Sequence, residues 1–446
     1  MGVFIRIWLG QVCSLVGSKL AEFAMGVWIL QETESISRFG IAIVLIYLPN
    51  VFFSPIAGPI IDRLNRRYVM IAADTVSALL TVVFALLIWT DQLAVWHLYV
   101  GVAVRSAAEA FQVPAYTAAI AQLVSMDKLS RANGMVQISR GLGRLAAPLL
   151  AGYLVGSVGL LGVLYVDMTT FLIALCTLFS VRIPRVKAEL ELLVADQQQG
   201  WRRFLQEITI GWQQIVQRPG LVRLLVFMIV VYFTLSSLEV LLWPLVLDNS
   251  SEQILGLVLF IGGCGALLGS VLISTWGGPT AKIYGVLIPV FAIGSLVTAC
   301  GLRFSLPLVA FTAFGVLFAL PIIVSCNQAI WQRKIPQAAQ GRVFALQQML
   351  ERSLSILAYG LSGPVIDWGL KPLMGSSLPL VDVIASVLGT DSETGLAIGA
   401  FLVAMGLINV LAGIVAWGQP QLRFVEKLTP DPVSEMQQPE LSAIAK

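Results

Sequence analysis

Apolar residues run along this chain in blocks of about twenty or more, the length a helix needs to cross a bilayer core roughly 30 Å thick. The block IWLGQVCSLVGSKLAEFAMGVWIL near the start is typical, with only a few polar residues scattered through it. Hydrocarbon offers nothing to a bare amide, so a spanning segment must satisfy its own backbone as a helix or join a closed barrel. Barrel strands alternate apolar and polar positions, and these blocks do not. The pattern therefore predicts an all-α integral membrane protein with twelve helices, at 4–31, 39–61, 68–90, 95–123, 133–156, 160–182, 221–247, 254–276, 281–302, 305–331, 342–367 and 395–418. The first block is too long for a signal peptide and no small-residue cleavage site follows it, so it reads as the first span.

One long polar stretch divides six spans from six. The expected organisation is a bundle at 1–182, a linker at 183–220, a second bundle at 221–420 and a tail at 421–446 rich in Pro, Gln and Glu that reads as disordered. Within the linker, Trp201, Phe204, Leu205, Ile208, Trp212 and Ile215 recur at helical spacing, which predicts an amphipathic helix along the membrane surface.

Composition supports this reading. Hydrophobic residues make up 57% of the chain and charged ones 12%, against about 25% in soluble domains. The net charge of +3 is what basic helix ends supply, so no nucleic-acid partner is needed. With both termini on the cytoplasmic side, twenty Lys and Arg residues fall there and only Arg38, Arg303 and Lys371 fall opposite. That bias fixes the expected orientation in a plasma membrane, the inner membrane of a bacterium. The five cysteines lie singly inside apolar runs and read as buried packing residues, while His97 beside Trp96 and Tyr99 reads as an interfacial residue. There is no phosphate-binding loop, no nucleophile and base pattern and no metal-ligand spacing, so neither an enzyme nor a cofactor or metal is expected.

Charges inside spans are costly, about 2.5–3.5 kcal/mol on insertion scales, and each needs a partner or a wet surface. Lys19 and Glu22 are three apart on one helix face, so they form either a neutralised structural pair or a site where Glu22 takes up a proton. Arg105 and Glu109 are four apart and invite the same pairing, unless Arg105 faces a central chamber. Arg140 and Arg144 have no acidic residue in reach along their own helix; they either snorkel to the cytoplasmic end or meet an anionic ligand. Asp167, Glu239, and the neighbours Glu351 and Arg352 complete the set. The stretch YFTLSSLEVLLWP, with Tyr232, Thr234, Ser236, Ser237, Glu239 and Trp243, has the polar and aromatic density of a cavity wall.

Residues 131–152 laid on 342–363 pair Arg131 with Arg342, Gln137 with Gln348 and Gly152 with Gly363, which places span 5 on span 11 and suggests a duplicated six-helix unit. Between spans 2 and 3, Gly58, Asp62, Arg63, Arg66 and Arg67 match the pattern G-x-x-x-D-(R/K)-x-G-(R/K)-(R/K), with Asn65 at the inner glycine position, where an asparagine tolerates a left-handed backbone. On these residues the chain resembles the major facilitator superfamily. WLGQVCSLVGSKLAEFAMGVWIL and RANGMVQ further resemble its exporter branch, which includes macrolide-efflux and siderophore-export proteins.

The resemblance implies two pseudo-symmetric six-helix bundles and secondary active transport by alternating access, with proton-coupled efflux of amphipathic small molecules as the expected activity. It implies protons and a small-molecule substrate as partners, a bilayer environment and a monomer. A lipid flippase, or a non-transporting sensor or scaffold on the same fold, is the alternative. Arg105 falls near the family's membrane-embedded arginine. Asp62 is implied to sit against the start of span 11, near Gly341 and Arg342, as a conformational latch on the cytoplasmic side. Gly143, Ala147, Pro148, Ala151 and Gly152 resemble the G-x-x-x-G-P-x-x-G-G pattern associated with antiporters, a small face where helices 5 and 8 approach, to which GGCGALLGS at 262–270 is comparable.

Overall fold

The computed structural model describes residues 2–124, 126–181, 209, 212–376 and 392–428; the side chains of some helical positions, among them Asp62, Arg63, Arg140, Arg144, Arg342 and Arg352, lie outside the described residues, as does Gly58. The predicted surface helix of the linker falls almost wholly outside them too.

Helices account for nearly all of the described chain, and no strand occurs among the described residues. In order they are α1 (Gly2–Thr33), α2 (Ile36–Arg63), α3 (Arg66–Trp89), α4 (Val95–Leu123), α5 and α6 within Met126–Ser180, α7 (Pro219–Leu247), α8 (Glu252–Trp276), α9 (Tyr284–Leu302), α10 (Leu306–Lys334), α11 (Gln337–Pro364) and α12 (Glu393–Gly418). Gly159 separates α5 from α6 with φ 68° and ψ −176°, a conformation closed to residues with a Cβ, and so marks the break expected between spans 5 and 6. Nine helical segments among the described residues are long and apolar enough to cross a membrane, one of them Met135–Ser180.

The chain forms two compact units. The first holds residues 1–194 with 240–260 and 359–367; the second holds 195–239, 261–358 and 368–446. Large apolar side chains such as Phe52, Val83, Leu172, Phe311 and Leu411 are exposed around both, as lipid-facing surfaces require, while Trp89, Trp96 and Trp276 project at helix ends where an interfacial belt would lie. Lipid solvates apolar surface as well as a protein interior does, so helix contacts depend on close packing and polar pairs.

Several expectations change on inspection. Asn65 is not left-handed: at φ −71° and ψ 113° it is the N-cap of α3, and its side-chain oxygen accepts from the Arg67 amide at 3.1 Å. Its two following arginines are also committed. Arg66 Nη1 donates to the Ala118 carbonyl near the end of α4, and Arg67 donates to the carbonyls of Leu178 and Phe179 at the end of α6, each at 2.9 Å. Cations at carbonyl-rich helix ends are favoured by both hydrogen bonding and the helix dipole. Cys300 and Cys326 are buried, but Cys176 is exposed and Cys13 and Cys264 are half-buried, because a thiol sits as readily against lipid as inside. His97 accepts from the Ala94 amide at 3.0 Å and so caps α4.

The first residues of the expected tail are helical. Pro420–Arg423 and Val425–Leu428 form helical turns, with Leu422 and Val425 buried and Glu426 accepting from the Ile283 amide at 3.1 Å. Residues 429–446 lie outside the described residues.

Candidate functional site

Inside the first unit, polar side chains from α1, α3 and α4 recur at seven-residue intervals. Gln11 and Ser18 lie on α1, Asp74 and Thr81 on α3, Arg105 and Gln112 on α4. Seven residues are close to two helical turns, so each pair faces the same way, about 10 Å apart along the axis. Two polar layers result, and α4 contributes in reverse order because it runs antiparallel to the other two.

In one layer Asp74 is fully buried. Gln11 Nε2 donates to its Oδ2 at 2.9 Å and Gln112 Nε2 to its Oδ1 at 2.6 Å, while the same Gln112 amide reaches Gln11 Oε1 at 3.2 Å. The other layer holds Asp167 of α6, also fully buried. Arg105 Nη2 reaches its Oδ2 at 3.4 Å and donates to Ser18 Oγ at 2.5 Å; Thr81 Oγ1 donates to the same carboxylate oxygen at 2.9 Å. The guanidinium lies 5.2 Å from the centre of the Phe171 ring. The second carboxylate oxygen, Oδ1, is buried with no hydrogen-bond partner among the described residues. A buried carboxylate keeps its charge only with a close counter-ion and donors, and Arg105 supplies the first of these.

Backbone packing explains why Asp167 can sit here. Gly10 and Gly17 on α1 are seven apart, and opposite them on α6 are Thr177 and Thr170. A Cβ on Gly17 would lie 2.1 Å from Thr170 Oγ1 and 3.1 Å from Asp167 Oδ1; one on Gly10 would lie 2.2 Å from Thr177 Oγ1. Neither helix could approach with any larger residue. The two threonine hydroxyls are satisfied by carbonyls of their own helix, each at 2.7 Å, so the seam is tight without leaving a buried donor open.

Among the sequence-predicted residues, Lys19 and Glu22 form the ion pair expected on one face of α1, and both side chains remain more than a third exposed. Arg105 does not pair with Glu109. Its partner is Asp167 across the bundle, a contact that spacing along one helix cannot reveal. Glu109 instead lies within electrostatic reach of Lys19, Arg105 and Glu22. Glu239 is exposed, on the part of α7 that belongs to the other unit. Thr234, Ser236 and Ser237 are buried: Thr234 donates to Asn409 Oδ1 of α12 at 3.0 Å and Ser237 to the Phe233 carbonyl at 3.0 Å, which makes this part of α7 a packing face rather than a chamber wall.

On α5, Ala147 and Ala151 are fully buried, and a Cβ on Gly143 would stand 3.5 Å or more from Leu15 and Lys19. Gly152 meets the first turns of α8, where a Cβ on Gly256 would be 2.4 Å from the Pro148 carbonyl oxygen. The close approach of α5 and α8 thus uses Gly256. The glycines of 262–270 serve another contact: Gly265 and Gly269 face the carbonyls of Phe314 and Phe318 on α10.

Asp74, Gln11 and Gln112 are site residues that sequence reasoning passed over. Asp74 stands alone in an apolar run with no charged neighbour to draw attention, and the signal that finds it is the shared seven-residue spacing on three helices.

A helical membrane protein with a buried ion pair among its first six helices and a basic turn between its second and third helices has the build of a membrane transporter. The family model described as Major Facilitator Superfamily matches residues 7–359, and the chain belongs to that family. It has the family's twelve-helix fold of two six-helix bundles and is a non-enzymatic membrane transporter. It is 27% identical over 351 residues to macrolide efflux protein A of Streptococcus pyogenes, covering 77% of this chain and 84% of that protein. It is 26% identical over 340 residues to the lysophospholipid transporter LplT of Photorhabdus laumondii, covering 73% and 79%. In fold it is similar to the crystal structure of the nucleoside transporter NupG, with a TM-score of 0.69 at 12% identity over 93% of this chain and 99% of that one.

Proposed function

We propose that this protein exports amphipathic small molecules across a bacterial inner membrane in exchange for protons, by alternating access, with both termini cytoplasmic. The observation that carries the reading is the Asp167–Arg105 pair, buried between α4 and α6 with one carboxylate oxygen unpartnered. A proton arriving at Asp167 neutralises the carboxylate and leaves the Arg105 charge unbalanced, so proton uptake changes what the surrounding helices prefer. Asp167 is a better coupling residue than Glu22, whose charge is already met by Lys19 at a part-exposed position. Among the described residues, the first unit's cluster holds four carboxylates, Glu22, Asp74, Glu109 and Asp167, against the two cations Lys19 and Arg105. That excess suits a cationic amphiphile. The family's efflux member named above supports the direction of transport.

Proteoliposomes loaded with the purified protein test this directly. A lipophilic amine or a macrolide should move when a pH gradient is imposed, and Asp167→Asn should keep the fold while losing the gradient's effect. Movement that ignores the gradient in the parent protein would rule out proton exchange. The similarity to LplT favours a lipid substrate as the second reading, and a fluorescent lysophospholipid crossing the same vesicles in place of amines would establish it.

A further inference from the structure

At the end of α2 remote from the Gly58–Arg67 turn, the first unit contains a second carboxylate-to-helix contact. Asp367 lies in the π-helical turn Val365–Leu370 that continues α11. Pro364 lacks the amide that would extend the regular ladder, and the widened turn follows it. Asp367 Oδ2 accepts from the Ser37 amide and from Ser35 Oγ, both at 2.8 Å, and Oδ1 accepts from the Ile36 amide at 3.4 Å. These amides belong to the first turn of α2, which has no carbonyls of its own to bind them, and the helix dipole there favours a negative charge. Ser35 is the N-cap of α2 and also accepts from the Arg38 amide at 3.3 Å, so one hydroxyl joins the cap to the carboxylate.

One turn earlier along α11, the backbones touch. A Cβ on Gly363 would sit 2.4 Å from Ser37 Cα, and one on Gly40 would sit 2.6 Å from the Tyr359 carbonyl oxygen. The Tyr359 and Tyr47 rings stack at 5.3 Å. Beside them Trp243 of α7 covers Gly26 and packs on Phe23 and Phe39 at 5.0 and 5.3 Å. The contact is thus a carboxylate clasp backed by a glycine interlock and an aromatic plug.

We propose that Asp367 is the latch of the outer gate, and that the α2 N-terminus must release it each time the transporter opens on that side. The inference rests on the alternating-access reading above. It adds a device reciprocal to the one that the basic turn implies at the opposite end, with α11 supplying the carboxylate and α2 the helix start.

The test uses the full-length chain with its five cysteines replaced and one reporter, Phe39→Cys, which is buried behind the clasp. A membrane-impermeant maleimide is added to right-side-out vesicles and the labelling rate is read. Asp367→Ala should raise the rate on the order of tenfold, the loss expected for a charge-assisted contact. Gly363→Leu should raise it as well by wedging the helices apart. Asp367→Glu, which retains the charge, should stay closer to the parent. Ser35→Ala, which removes a single donor and leaves the backbone ones, should give a rise of about two- to threefold and serves if the stronger variants fail to fold. Parental labelling rates in Ser35→Ala and in whichever of the Asp367→Ala and Gly363→Leu variants fold would overturn the proposal. No substrate is needed for the measurement, so a negative result leaves the exporter assignment standing, and failed export leaves the latch standing.

Discussion

The two units solve the same packing problem with different chemistry. In the first, α1 and α6 meet along Gly10 and Gly17 against threonines, and the space between helices holds Asp74, Asp167 and Arg105. In the second, α9 and α12 meet glycine to glycine: a Cβ on Gly294 would lie 2.8 Å from the Gly406 carbonyl oxygen, and one on Gly301 2.7 Å from that of Gly399. The first and last helices of that half are joined by the neutral Thr234–Asn409 hydrogen bond, where their counterparts α1 and α6 seat a carboxylate. Glu351, beside Gln347 at 3.0 Å, is a buried carboxylate of the second unit. Similar helical frameworks therefore carry unequal loads. The first half seats an ion pair between its helices, whereas the second bridges its first and last helices with a neutral pair and keeps its buried Lys334 on a backbone carbonyl, that of Glu426.

The sharpest way to break this comparison is Arg105→Ala. Removing one member of a buried ion pair leaves the other uncompensated and costs about 3–5 kcal/mol, so thermal stability should fall strongly and transport should cease. A variant with parental melting temperature would show that Asp167 does not depend on Arg105. Next comes Gly17→Ala, which forces a methyl into Thr170 and towards Asp167; a loss of about 1–3 kcal/mol is expected in denaturation, whereas Gly143→Ala, with its nearest neighbour 3.5 Å away, should be nearly silent. Asp74→Asn should preserve folding, because Gln11 and Gln112 can turn to meet an amide, while slowing proton-driven transport on the order of tenfold, as for the loss of a general charge interaction. The smallest effect belongs to the second half. Replacing both partners in Thr234→Val with Asn409→Leu should change stability by less than about 1 kcal/mol and leave transport rates near those of the parent, since neither partner is left unsatisfied. A large transport defect in that pair would erase the distinction between the halves.

The fold was readable because lipid imposes a length on every spanning helix, and twelve apolar blocks with a basic bias announce themselves whatever their order. The break at Gly159 could be placed within a few residues for the same reason. Pairings between helices were less accessible. Arg105 has Glu109 one turn away in sequence, yet its partner sits on α6, because a seam of glycines carries that helix against α1. Asp74 shows no sequence context at all beyond its register with Gln11 and Gln112. Asn65 matched a family glycine position but does its work as a cap, a role that depends on backbone angles and not on residue type alone. Arg140, Arg144, Asp62 and Arg342 fall outside the described residues, so their expected roles rest on the sequence reading.

Arg66 and Arg67 have an effect beyond anchoring a turn. The carbonyls they grip belong to α4 and α6, and those are the two helices that carry Arg105 and Asp167. The start of α3 is therefore tied directly to both helices that share the buried ion pair, much as a drawstring gathers the two edges of a bag.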